Sequence, residues 1–501
     1  MIQKTPSQMS RCFVLRLCAA LMALLVLCGV FCACPQPTGG EDTGDSTSSN
    51  VAVTEDTAND IYKDLPAGDF SGQEFHILNN VCTWALTTME SSEQLGDTIS
   101  DAVTDRNAML ENAVGVKLVI ESNTNVLSAI RKDFETQERA YDCFWDVIGS
   151  NVKLATENRL TDFNTIDGIN LEKEWWYPTT SRSIAIGPAV YMLFSDIHLH
   201  FHESFYASIF NKDMLATYQG LEDPYELVKS GKWTIDKLNE MMKVVASDVD
   251  ANGTKDISDS NSIYGLVAHT NSGYSMMIGF DTSLLEYDSQ HIPSANFNGV
   301  NERYINAYTK VKDTIYNTVL CGSPISDGYS KLSNRQHTPF SEGRSLFMYE
   351  VTGTLKEHRD DSFSYGIITS PKYSEDQANY ISPITCGASA LCVPANCANP
   401  ERVGIVLENM AAVSHKKVKP AYYDITLCYK YNKDPAAIEM LDTIYKNGRF
   451  ELAYVYNFGS IRTTVENSFK NNVSDISGQI TRINKVVRKS ISDTLKALNL
   501  E

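Results

Sequence analysis

The chain has 501 residues, 62 acidic against 43 basic, for a formal net charge of −19. A single hydrophobic core stops growing at roughly 250–300 residues, so two or more domains are expected. Phosphate binding rests on clustered Lys and Arg, and the acidic balance, with no basic stripe interleaved with aromatics, excludes nucleic acid as a partner.

Lys4, Arg11 and Arg16 precede an apolar run over residues 17–31, the charged and hydrophobic regions of an export signal, too short for a comfortable membrane span. The run ends in Phe31-Cys32-Ala33-Cys34, which resembles a bacterial lipobox, a small residue before the cysteine that receives diacylglycerol. Residues 1–33 are therefore expected to be a signal peptide and Cys34 the lipid anchor. The pattern departs from the usual one at Phe31, where Leu is common, and at Pro35 directly after the cysteine. Uncleaved anchoring and simple secretion are the alternatives. Residues 34–66, rich in Gly, Ser, Thr, Asp and Glu, cannot bury enough apolar surface to fold and read as a tether. Beyond Cys34 lie seven cysteines without a C-x-x-C pair, which argues against zinc and against a disulfide framework.

The folded part opens with a strand at 74–78. A helix with Ile99, Val103, Leu110 and Val114 near helical spacing follows, then a strand at 116–120, a helix at 125–139 and a strand at 144–148. Strand, helix, strand, helix, strand implies a parallel sheet with right-handed crossovers. Ligands meet such sheets beyond the carboxyl ends of the strands, which makes Trp84 and Asn151 candidate ligand contacts. Trp175, Trp176 and Tyr177 form the densest aromatic cluster; an exposed ring suits the C–H face of a sugar, whereas adjacent tryptophans at a sheet edge also serve as core, the favoured role for at least one of them. Trp233, just before the N-cap Thr234, reads as a packing residue.

Two strand-like runs, 191–194 and 205–210, flank a polar segment dense in Asp, His and Ser, and a second α/β pattern begins after it. The chain thus reads as two lobes with a hinge here and a ligand cleft between them. On an extended strand His198, His200 and His202 would share one face, with neighbours ~6.8 Å apart. Two of them could share a metal with Glu203 or Asp196, and polar hinge or cleft lining is the favoured alternative. Asp248, Asp250, Asn252, Gly253, Thr254, Asp256 and Asp259 match the twelve-residue calcium loop, with Thr254 contributing its backbone carbonyl. Asp259 in place of Glu shortens the last ligand, and Lys255 replaces an apolar residue; an ordinary acidic turn is the alternative to a structural calcium site. At the C-terminus, apolar residues at three- and four-residue intervals over 465–498 predict a long amphipathic helix with a break near 474–478.

Segments in this order and spacing resemble the family 1 extracellular solute-binding lipoproteins of bacterial ABC importers. They are Phe210-Asn211-Lys212-Asp213, Pro224-Tyr225-Glu226-Leu227-Val228 with Gly231-Lys232-Trp233-Thr234, and Phe340-Ser341-Glu342-Gly343-Arg344-Ser345-Leu346-Phe347. Tyr365-Gly366-Ile367 with Pro371-Lys372-Tyr373, Leu407-Glu408-Asn409-Met410, and Lys419-Pro420-Ala421-Tyr422-Tyr423-Asp424 complete the set. The likeness runs from about residue 70 to the end. It implies an α/β, two-lobed periplasmic-binding-protein-like fold of type II, each lobe a mainly parallel sheet flanked by helices. Lobe one would comprise 67–197 and 363–413, and lobe two 198–362 and 414–501. It also implies a monomer, lipid-anchored at the extracytoplasmic face of the bacterial membrane, that hands a small-molecule solute to ABC permease subunits and is not an enzyme.

A saccharide is the expected solute, with Trp84, Trp175, Trp176 and Tyr191 as candidate stacking faces and Asn151 and Asp196 as polar contacts. No basic cluster is available for an anionic ligand. A surface glycoside hydrolase, which needs two facing carboxylates, and a binding protein for peptides or polyamines are the alternatives.

Overall fold

The computed structural model describes residues 62–247, 261–268, 272–295, 301–316, 321–322, 337–428 and 434–501. All belong to one unit, Glu55–Glu501. The expected signal segment, Cys34 and most of the expected tether lie outside the described residues, as does the whole 248–259 loop with Asp248, Asp250, Asn252, Thr254, Asp256 and Asp259. Among the described residues no helix is long and apolar enough to cross a membrane.

Among the described residues thirteen strands are interspersed with helices. In chain order they are β1 (Gln73–Asn80), β2 (Val116–Asn123), β3 (Cys143–Val147), β4 (Tyr206–Asn211), β5 (Tyr264–Ala268), β6 (Glu286–Tyr287), β7 (Pro293–Ser294), β8 (Cys321–Gly322), β9 (Ser345–Val351), β10 (Tyr365–Ile368), β11 (Ser382–Pro383), β12 (Ser389–Cys392) and β13 (Gly448–Arg449).

The first sheet has the order β12-β3-β1-β2, with β1 parallel to β2 and β3, and β12 antiparallel at the edge. The crossovers are the helices Gly96–Val114 and Val126–Thr136, as the periodicity requires. β3 is buried on both faces: Phe144 joins one apolar cluster, and Cys143 and Trp145 join another. That is the mark of a parallel strand covered by helices on either side. The second sheet has the order β10-β4-β9-β5-β8. Two of its pairings are parallel, β5 with β9 and β8, and two antiparallel, β4 with β9 and β10. It is evenly mixed rather than mainly parallel.

Three local readings change. Tyr365–Ile368, assigned from sequence to lobe one, pairs with β4 through Tyr365 to Asn211 and Ile368 to Ser208, so this strand belongs to the second sheet. A four-residue apolar run does not encode its partner. Residues 191–194 form no strand and contribute only the isolated bridge of Leu193 to Leu391. The histidine segment is a short helix, Leu199–His202, capped by His198 and buried throughout, so the expected strand geometry does not apply.

Elsewhere local signals hold. Thr234 caps the helix Ile235–Val245 by accepting from the Lys237 amide, and Trp233 beside it is fully buried with Nε1 donating to the Thr369 carbonyl. The C-terminal pattern breaks between the helices Ile461–Lys470 and Ile476–Ala497, where Asp475 accepts from the Gly478 amide and starts the second.

Candidate functional site

A cavity of about 380 Å³ opens where the carboxyl ends of β1 and β9 approach each other, the end of a strand at which α/β sheets place their ligands. Trp84, from the loop after β1, forms one wall. It is 42% exposed, whereas the other four tryptophans are buried. Its indole meets the His200 ring edge-on at 4.7 Å and lies over Gly387, where a Cβ would fall 3.2 Å from Cζ2. A side chain there would require the ring to give way by a few tenths of an ångström.

The second sheet supplies the facing wall through Tyr206 at the start of β4 and Glu350 and Val351 at the end of β9, which are paired neighbours. Tyr206 stacks on Tyr349 with centroids 5.7 Å apart, and Glu350 accepts from the Val351 amide at 2.9 Å. The helices Leu452–Tyr456 and Ile461–Lys470 contribute Tyr454, Arg462 and Glu466, and the loop before β12 contributes Thr385 and Cys386.

Arg462 is held from several sides. Its Nη1 lies 3.0 Å from Cys386 Sγ and donates to the Tyr454 carbonyl at 3.3 Å, and its guanidinium sits 5.6 Å from the centre of the Tyr454 ring. Glu466, one turn along the same helix, is 3.9 Å from Nε. Burial pushes the Glu466 carboxyl up, against the opposing pull of Arg462 and Lys470. One exposed indole, tyrosines, two carboxylates and one guanidinium around a small cavity match the two chemistries of a sugar ring: an apolar C–H face and hydroxyls that both donate and accept.

Of the residues expected to bind, only Trp84 lines this cavity. Trp175 and Trp176 are core: their Nε1 atoms donate to the two oxygens of Glu408 at 3.2 and 2.8 Å, tying their loop to the helix Pro400–Cys428. Burial raises the Glu408 pKa against these donors. Asn151 sits inside the helix Ile148–Thr156 rather than in a loop, is fully buried, and donates to the Asp146 carbonyl at 2.9 Å. Tyr191 is half-buried against the large apolar cluster.

Asp196 is the centre of a buried network. Its Oδ1 accepts from the Tyr177 hydroxyl at 2.7 Å and contacts His202 Nε2 at 2.8 Å, and its Oδ2 contacts His415 Nδ1 at 2.5 Å, with Lys419 at 3.9 Å. Burial alone would raise this carboxyl, but hydrogen bonds from His202 and His415 and the Lys419 charge outweigh it and hold the pKa well below the usual carboxylate range. A second cavity of about 270 Å³ beside this network is lined by Tyr177, Lys419, Asp442 and Tyr445 and by one edge of the otherwise buried Trp176, an expected ligand contact. Its Lys419 already faces Asp196 and Asp442, each at 3.9 Å.

The three histidines point to separate partners. His198 Nδ1 accepts from the His200 amide, which leaves Nε2–H to donate to Asn79 Oδ1 at 3.1 Å. His200 Nδ1 meets Ser389 Oγ at 2.9 Å, and His202 meets Asp196. Among the described residues no group of three His, Cys, Asp or Glu side chains is arranged to hold a metal.

Sequence reasoning missed Tyr206, Glu350, Tyr454, Arg462 and Glu466. Glu350 carried a signal, as the lone charge in the apolar run of β9. The i, i+4 spacing of Arg462 and Glu466 reads equally well as an ordinary solvated helix pair.

No protein-family model matches the sequence, and no curated protein matches it. Among the solved structures that match it are two that show its fold. A cyclo/maltodextrin-binding protein complexed with maltotetraose aligns with a TM-score of 0.53 at 12% identity, covering 85% of this chain and 97% of its own. UspC of M. tuberculosis aligns with a TM-score of 0.55 at 13% identity, covering 83% and 100%. The fold is the two-lobed, periplasmic-binding-protein-like α/β architecture.

Proposed function

We propose that this protein is a solute-binding lipoprotein that captures a saccharide in the cavity at Trp84 and delivers it to an ABC importer. The observation that carries the reading is the exposed indole of Trp84 set against Glu350, Arg462 and Glu466 across a small cavity. The fold it shares with a maltotetraose-bound cyclo/maltodextrin-binding protein supports it. Arg462 donates to ring hydroxyls, the carboxylates accept from them, and the indole covers the C–H face. Closure would desolvate every hydroxyl, so each must find a partner or weaken binding.

Thermal-shift screening of saccharides tests this directly, since a ligand at 100 times its Kd adds ~2.7 kcal/mol of stability. For a sugar found in this way, Trp84→Ala should weaken binding by about 1–3 kcal/mol, the worth of burying one aromatic side chain. Stabilisation by peptides or polyamines and by no sugar would replace the saccharide reading. So would release of reducing sugar that Glu350→Gln abolishes, since Glu350 and Glu466 are the cavity's two carboxylates.

The same reading places the protein as a monomer at the extracytoplasmic face of a bacterial membrane, held by lipid on Cys34. Cys34→Ser should move it from the membrane to the soluble fraction with solute affinity unchanged; retention in the membrane overturns the anchor. It also includes structural calcium in the 248–259 loop. EDTA should lower the melting temperature, and Asp248→Ala should abolish that response; a melting curve indifferent to chelator excludes the site.

A further inference from the structure

An exposed tryptophan on a loop is expected to sample several orientations, yet Trp84 is held from beneath by a buried ion pair that touches its backbone. Lys356, in the 3-10 turn Thr352–Glu357 after β9, donates through Nζ to the Trp84 carbonyl at 3.2 Å and to both oxygens of Glu203 at 3.1 and 3.0 Å. Glu203 Oε2 in turn accepts from the Leu86 amide at 2.7 Å. One carboxylate and one ammonium therefore hold the Trp84 loop at the Trp84 carbonyl and at the Leu86 amide two residues on. The Glu203 side chain is 1% exposed and that of Lys356 29%.

The surrounding backbone is built to bring the pair together. The Gly353 amide donates to the Glu203 carbonyl at 3.0 Å, and a Cβ on Gly353 would lie 2.9 Å from that of Glu203. Any larger residue would push the turn carrying Lys356 away from Glu203. Burying a carboxylate is costly, and isolated ion pairs are weak grounds for stability, so the pair's contacts with the Trp84 loop point to a positioning role.

We propose that Glu203 and Lys356 are the positioning pair of this cavity: they fix the loop so that the Trp84 indole stands as a preformed wall, and neither residue contacts the solute. Three separate segments meet in the pair, which ties the Trp84 loop of the first sheet to the strand end of the second. Its consequence for affinity rests on the solute-binding reading above; the placement of the indole does not. Preformed stacking faces bind more tightly because no ordering remains to be done on association.

The measurement is made on the full-length chain without any solute. Trp84 is the exposed tryptophan among five, so acrylamide quenching reports on it selectively, and anisotropy decay does so by difference from a Trp84→Phe background. Glu203→Gln and Lys356→Met should raise the quenching constant and the amplitude of the fast phase of the anisotropy decay above their wild-type values. Lys356→Arg, which can still reach both Glu203 and the Trp84 carbonyl, should restore them, and in a Trp84→Phe background the differences should vanish. Glu203→Gln preserves side-chain volume and leaves Lys356 free to turn to solvent, so it guards against a variant that merely fails to fold. Wild-type quenching and decay in both disrupting variants overturns the proposal, as does unfolding of both or a change that persists without Trp84. Because no sugar enters this experiment, its failure and a failed saccharide screen are separate results.

Discussion

Asp196→Ala should lower the free energy of unfolding by about 3–5 kcal/mol, the usual cost of removing one partner from a buried charge network. The carboxylate is fully buried and serves Tyr177, His202 and His415 at once. In the variant those three groups lose their common acceptor, and Lys419 keeps Asp442 as a carboxylate neighbour. The sign of the pH dependence follows from the depressed carboxyl. Its contribution is fully present above the unfolded pKa of ~3.9 and is lost only as pH falls below that. Urea titrations of wild type and variant at pH 7 measure the difference. A loss below ~1 kcal/mol at pH 7 would show that the network is not a stabilising element. Because Asp196 belongs to a buried network and does not line the cavity at Trp84, affinity for a solute is the wrong assay for it.

The second large effect is a pH slope. Burial, with a smaller push from the Lys356 charge, drives the His200 pKa down to about 3. The unfolded chain takes up this proton near pH 6.5 and the folded chain near 3, so stability contributed by neutral His200 is present above ~6.5 and lost as pH falls. Between those limits the loss is about 1.4 kcal/mol per pH unit. Asp146, raised by burial to about 6, works in the opposite direction: its stability is present at low pH and lost as pH rises, so the wild-type curve by itself does not isolate the histidine. The difference between wild type and His200→Asn does. Asparagine keeps a polar group near Ser389 and removes the titration, and the gap in unfolding free energy between the two proteins should shrink by about 2 kcal/mol from pH 6 to pH 4.5. A gap that does not change over that interval would mean that His200 is solvated, in conflict with its burial.

How much of this was legible in the sequence depended on the range of the signal. The parallel pairing of β1 with β2 and β3, the Thr234 cap and the broken C-terminal helix follow from patterns within a few residues of one another. Alternation, 3.6-residue spacing and cap side chains act through local backbone geometry, so their outcome is written where they stand. The two-lobed organisation was legible for the same reason, since two successive α/β patterns need two sheets. Trp84 was legible because a loop at the carboxyl end of a parallel strand is open to ligand whatever lies opposite.

What lies opposite was decided only by tertiary structure. Trp175 and Trp176 have the composition of a sugar platform, and became core because Glu408, more than 230 residues away, offers an acceptor to each indole N–H. A buried indole needs such a partner, and nothing near residue 175 reveals whether one exists. Asp196 and Asn151 were drawn inside for the same reason: a polar side chain can be buried once distant groups satisfy it, and its local sequence does not announce them. Glu350, Arg462 and Glu466 share a cavity with Trp84 across chain separations of hundreds of residues, and β10 pairs with β4 from Tyr365 to Asn211, also far apart in the chain. Local sequence determined the elements and the loop that carries Trp84. Which side chains face one another across the cavity was settled by the packing of the two sheets, because burial and polar satisfaction are properties of surroundings that the chain acquires only on folding.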